Sequence, residues 1–151
     1  MVDINLIKKL RNETGVSIAL CKKALDESKG DIKKAKDLLN QWGVDKVKDK
    51  TERITKQGGI FSYVHHNLKV AGFIELLCET DFVSSNTEFQ KLGKEISMQV
   101  ASVPPKNVEE LLEQEYIRDT SKKIKDLLNE AVLKFGENIK VGKLLRWQLG
   151  E

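Results

Sequence analysis

Two adjacent histidines, a strand cysteine, a glycine pair and an aromatic beside a carboxylate are the residues of this 151-residue chain whose types could do chemistry. His65-His66 offers imidazole to a metal ion. Neighbours on an extended chain point to opposite sides, however, and no cysteine or carboxylate pair lies near at ligand spacing, so a solvated turn is the plainer reading. Cys78 would act as a nucleophile only beside a base, and the sequence nominates none, which leaves a packed thiol. Gly58-Gly59 belongs to no G-x-x-x-x-G-K-[ST] phosphate loop and no G-x-G-x-x-G helix start, and H-E-x-x-H is missing as well. No catalytic residue, no metal site and no cofactor is therefore expected. The remaining candidate is Thr80-Asp81-Phe82-Val83, a large aromatic next to a carboxylate between an apolar strand and a capped helix. Two readings stay open for it: Phe82 folds back on Phe89 while Asp81 caps backbone N–H groups, or the ring is presented to another molecule.

The elements that position this segment are punctuated clearly. Asp3 caps a helix with Ile4, Ile7 and Leu10 at three-residue spacing, interrupted at Thr14-Gly15. Ser17 caps a second, with Ile18, Cys21 and Leu25 on one side, ending at Gly30. Asp31 caps a third, whose stripe Ile32, Ala35, Leu39 and Trp42 stops at Gly43. Residues 44–57 are almost all polar or charged and read as a linker helix or tether. Beyond Gly58-Gly59 the pattern changes to a β-hairpin: Ile60 to Val64, a turn at His65-His66-Asn67, then the apolar run Val70 to Cys78. Ser85-Asn86-Thr87-Glu88 has the form of a capping box for a helix with Phe89, Leu92, Ile96 and Val100 inward. After Pro104-Pro105, Asn107 and Glu110 cap a long helical stretch that Gly136 closes. A last strand should put Ile139, Val141, Leu145, Trp147 and Leu149 on one face.

The expected fold class is α+β: a three-helix bundle over 1–43, a charged linker over 44–57, and over 58–151 a small antiparallel three-stranded sheet packed with helices. So small a sheet leaves a face to be covered, and a homodimer through the core sheet is the economical way to cover it.

Charge and composition narrow the class of function. The chain has 26 Lys plus Arg against 23 Asp plus Glu and is 40% hydrophobic, which fits a globular protein rather than a disordered one. The formal +3 sits at the front, with 14 basic and 9 acidic residues over 1–57. Those lysines are interleaved with acids and lack an aromatic-basic signature, so direct nucleic-acid binding is not expected. No apolar run reaches the ~18 residues of a membrane helix, and Met1-Val2-Asp3-Ile4 opens straight into a helix. A cytoplasmic protein with two free thiols and no membrane contact is expected.

Read together, Leu10-Arg11 with Thr14-Gly15, Cys21-Lys22-Lys23-Ala24-Leu25, Gly30-Asp31-Ile32 and Cys78-Glu79-Thr80-Asp81-Phe82-Val83 resemble the elongation factor Ts family of translation factors. Phe135-Gly136-Glu137-Asn138-Ile139 resembles that family's carboxy-terminal strand region, so the similarity runs in order over nearly the whole chain. The resemblance implies a ubiquitin-associated-like (UBA-like) helical domain, then a core that binds the GTPase elongation factor Tu and promotes loss of its GDP. It implies that Asp81 and Phe82, within Thr80 to Val83, intrude near the GTPase's magnesium and phosphate loop. Arg11, Ile18, Ala19 and Lys22 would dock on the GTPase domain.

Longer members of the family duplicate the core and add a coiled-coil excursion, whereas this chain carries one core copy, with little room for the excursion between Pro105 and Phe135. Ile18-Ala19 stands where paired methionines are familiar, and Leu20 where an acid is common. The alternatives are an interaction adaptor with a UBA-like domain and an RNA-binding accessory protein.

Overall fold

The computed structural model describes residues 3–50 and 52–151; Met1, Val2 and Thr51, which fall in the expected first domain and linker, lie outside the described residues. The chain forms two compact units, one reaching to Glu52 and including Asn129–Gly136, the other made of Arg53–Leu128 and Glu137–Glu151.

The first unit is built on α1 (Ile4–Thr14), α2 (Ile18–Glu27) and α3 (Ile32–Lys50). Asp3, Ser17 and Asp31 each accept a hydrogen bond from a backbone N–H of the first turn, those of Asn5, Leu20 and Lys34. Gly15 and Gly30 adopt the left-handed backbone, φ 70° and 85°, that lets a helix stop. The apolar stripes meet in a core of Ile7, Leu10, Val16, Cys21, Ala24, Leu25, Ala35 and Leu39. The sequence predicts that α3 stops at Gly43, but the helix runs on to Lys50. A Cβ on Gly43 would lie 2.7 Å from the carbonyl oxygen of Asn129, so this glycine permits a close helix crossing instead of marking a stop. The packing gained there offsets the ~1 kcal/mol that a glycine costs inside a helix. The extended end is tied down where Lys50 donates from Nζ to the carbonyl of Gly136 at 2.8 Å.

The second unit carries β1 (Gln57–Val64), β2 (Val70–Cys78), α4 (Asp81–Ser84), α5 (Thr87–Ser102), α6 (Val108–Glu113), β3 (Glu115–Tyr116) and β4 (Asp119–Lys123). α7 (Ile124–Phe135) follows, its first turns in this unit and the rest in the first, and β5 (Lys140–Gln148) closes the chain. The antiparallel sheet has the order β1-β2-β5. Phe61 pairs with Ile74 and Tyr63 with Gly72, on the face that α5 covers with Phe89, Ile96 and Val100. The approach is close: a Cβ on Gly72 would sit 2.2 Å from the carbonyl oxygen of Ser97 in α5. The class is therefore α+β, with amino-terminal helices followed by a small three-stranded sheet.

Three local expectations are corrected. β5 does not keep its apolar residues on one face, because the register slips between Ile74–Leu144 and Leu76–Val141. One extra residue of β5 opposite Glu75 inverts the alternation, so Val141 is buried while Leu145 and Trp147 turn to the other side, 45% and 61% exposed. The stretch from Asn107 is not one helix. Buried Gln99 donates to the side chain of Gln114 and the carbonyl of Glu115 and accepts from Ile117 N–H, which holds residues 114–117 out of helical conformation. Asn86, not Ser85, caps α5, accepting from Glu88 N–H at 2.8 Å, because Ser85 already ends α4.

Candidate functional site

The exposed turn between β2 and α5 is built on a half-buried anchor. β2 ends at Cys78, and Thr80 becomes the N-cap of the single-turn helix α4, with its hydroxyl accepting from Val83 N–H. That hydroxyl donates in turn to Oε2 of Glu137 at 2.6 Å. Oε1 of Glu137 accepts from the backbone N–H groups of both Glu79 and Thr80, each at 3.1 Å. Asn138 N–H donates back to Oε1 of Glu79 at 2.7 Å, and the guanidinium of Arg53 lies 3.6 Å from the same oxygen. Val83 is buried beneath the turn, whereas Phe82 projects from it 86% exposed with Asp81 beside it.

Of the two readings left open for Phe82, the structure places the ring outward. Phe89 meets Phe61 edge-on instead, centroids 6.0 Å apart. The cap is also Thr80 rather than Asp81, which leaves the Asp81 carboxylate on the exposed side of the turn. Burial pushes the Cys78 thiol up to about 11, with the charge of Glu137 adding to the effect, so at neutral pH it is a protonated thiol donating to Thr80 O at 3.2 Å. That chemistry suits a packing group rather than a nucleophile. The rings of His65 and His66 lie with centroids 4.1 Å apart, tilted 49° to each other, and Nδ1 of His65 shares a hydrogen bond with the Tyr63 hydroxyl. Among the described residues no group of three metal-binding side chains forms, and no helix is long and apolar enough to cross a membrane.

In the first unit, Arg11 stands in the last turn of α1, and Ile18, Ala19 and Lys22 in the first turns of α2, all exposed. Ile18 and Lys22 lie one turn apart and share a helix face, with Ala19 at its side. Glu79, Glu137 and Asn138 hold the turn, and no motif or spacing in the sequence marks them for that role. The available signal was their place within the two segments that carry the family resemblance.

The family model for Elongation factor TS matches residues 79–150, a stretch that includes the turn and its anchor. Elongation factor Ts of Thermotoga neapolitana is 37% identical over 193 aligned positions, spanning 99% of this chain and 98% of that protein. The chain belongs to the elongation factor Ts family. Elongation factor Ts of Thermosipho melanesiensis, 35% identical with both chains fully covered, and that of Oleidesulfovibrio alaskensis, 37% identical over 96% of each, place it equally. Membership of the elongation factor Ts family makes the chain a translation elongation factor. It is a short member: against 193 aligned positions it has 151 residues, so at least 42 positions of the Thermotoga protein have no counterpart here.

Proposed function

We propose that this chain is a guanine nucleotide exchange factor for elongation factor Tu. It acts in the cytoplasm, performs no covalent chemistry and carries no cofactor. Phe82 and Asp81, presented by Thr80 and Val83, enter the GTPase near its magnesium and phosphate loop and weaken the hold on GDP. Arg11, Ile18, Ala19 and Lys22 supply docking affinity, which divides the labour between a UBA-like region over 1–43 and the core over 58–151. The observation that carries the reading is a phenylalanine 86% exposed on a turn whose base is fixed by four hydrogen bonds between Glu79-Thr80 and Glu137-Asn138.

The energetics set what the ring must do and what it leaves to others. Exchange factor and GDP weaken each other's equilibrium binding by one common factor. Burying a phenylalanine is worth ~1.5–3 kcal/mol and each tenfold in affinity needs ~1.4, so Phe82 supplies about one to two decades. Displacing groups that hold the magnesium removes the cation that offsets phosphate charge, and docking through the helices holds the wedge in place. Stopped-flow release of a fluorescent GDP analogue from elongation factor Tu tests the reading. Acceleration by this chain supports exchange; binding without acceleration assigns an adaptor instead.

The outer face of the sheet supports a second element of the reading, self-association. Ile60, Val64, Leu145 and Trp147 stand there 79%, 53%, 45% and 61% exposed, with Phe73 among them. Exposed apolar area of this kind marks an interface, and a second copy of the same sheet supplies a matching apolar surface.

A further inference from the structure

We propose that Glu137 is a positioning residue for exchange: its carboxylate fixes the direction in which α4 leaves the sheet, and so the angle at which Phe82 is presented. The inference rests on the exchange reading above and extends it to a residue that does not touch the GTPase.

α4 spans only Asp81–Ser84, four residues. Forming a first helical turn is unfavourable by itself, so such a segment takes its direction from whatever holds its ends. Its carboxy-terminal side buries one side chain, Val83. Its amino-terminal side is held by Glu137, which receives three hydrogen bonds from two consecutive residues, Glu79 and Thr80. The Thr80 hydroxyl links the two functions, since it caps α4 through Val83 N–H and at the same time donates to Glu137. Glu79 returns the contact by accepting from Asn138 N–H, so each of the two segments both donates and accepts. Phe82 lies two residues beyond this clamp, with its ring in solvent. Glu137 therefore acts through Thr80 rather than by contact. A ring whose mount is loosened still reaches its pocket, but in fewer productive orientations, and small misplacements carry large rate penalties.

The test compares the full-length wild type with Glu137→Ala, Glu137→Gln and Thr80→Val, following release of fluorescent GDP from elongation factor Tu over a range of exchange-factor concentrations. Glu137→Ala should lower the maximal release rate about tenfold while the half-saturating concentration changes less than about threefold. Hydrogen exchange at the Glu79 and Thr80 amides should speed up in the same variant. Glu137→Gln, which still accepts from both amides through its carbonyl oxygen and keeps the link to Thr80 by donating from its amide nitrogen to the hydroxyl oxygen, should recover most of the rate. A folded Glu137→Ala with the wild-type maximal rate, or one altered only in half-saturating concentration, overturns the proposal. So does a Glu137→Gln no better than alanine, which would assign the effect to charge. Where Glu137→Ala does not fold, Thr80→Val decides: it removes the linking hydroxyl, and an unchanged maximal rate overturns the proposal. A wild type that never accelerates release sinks the exchange reading together with this extension, whereas an active wild type matched by Glu137→Ala sinks the extension alone.

Discussion

Phe73 and Trp147 meet edge to face, with ring centroids 5.3 Å apart, on the side of the sheet opposite α5. The pair exists because the bulge in β5 turns Trp147 away from the core and onto the outer face with Phe73. Trp147→Lys places a charge at the centre of the proposed contact between copies. Aromatic anchors of this kind are worth ~2 kcal/mol or more, so the dissociation constant of the dimer should rise at least ~30-fold. Sedimentation velocity across micromolar concentrations reads this directly. A wild type that remains monomeric throughout would remove the dimer from the proposed function.

Phe82→Ala tests the wedge. The ring is exposed, so its loss should leave unfolding free energy within ~0.5 kcal/mol of the wild type. Stimulated GDP release should slow by about one to two decades, the share assigned to burying one phenylalanine. Thermal unfolding and stopped-flow release on one preparation separate the two effects, and unchanged release from a folded variant contradicts the role.

Much of this architecture is legible locally, because amphipathic stripes and caps act within a few residues. Ile7 and Leu10, or Phe89, Ile96 and Val100, announce their buried faces by spacing alone. What escapes is set by partners distant in sequence. Gly43 looks like a helix stop until the carbonyl of Asn129 is found against it. Leu145 and Trp147 share an alternation with Val141 until one extra residue opposite Glu75 inverts it. The segment Thr80 to Val83 stands out as an aromatic beside a carboxylate, but its anchor Glu137 lies 57 positions away, beyond any spacing rule.

Glycine substitutions should rank by what each new methyl group meets. At Gly72 it would lie 2.2 Å from a backbone oxygen of Ser97 and 2.8 Å from Ala101 N, neither of which can move without shifting α5. At Gly93 it would meet the Phe61 ring, also at 2.2 Å, and a ring can turn at some cost to its edge-on contact with Phe89. Gly30 has open space and only its left-handed φ of 85° to lose. Gly72→Ala should therefore cost ~3 kcal/mol or more, Gly93→Ala ~1–3 and Gly30→Ala ~1–2. Urea unfolding of the three variants checks the order, and a Gly72→Ala as stable as Gly30→Ala would contradict the close packing of β2 on α5.

The Cys78 thiol gives stability a defined dependence on alkaline pH. Burial, then the negative charge of Glu137, pushes it up to about 11, and Glu79 acts in the same direction. In the unfolded chain a thiol titrates near ~8.5. Below that pH both states hold the proton and the contribution is complete. As pH rises from ~8.5 towards 11 the unfolded chain sheds its proton while the folded chain keeps it, so the unfolded state binds fewer protons and stability falls. Burial also raises Cys21, and burial with the hydrogen bond to Glu95 raises Tyr116, so both add to the decline, the tyrosine only above ~10. Urea unfolding at successive pH values should show this fall, and Cys78→Ala, less stable at pH 7, should show a shallower one. The same burial makes both thiols slow to react with an aromatic disulfide reagent at pH 8 until urea unfolds the chain. A Cys78 that reacts at the rate of a free thiol in the folded protein would contradict the sealed position of that side chain beneath the turn.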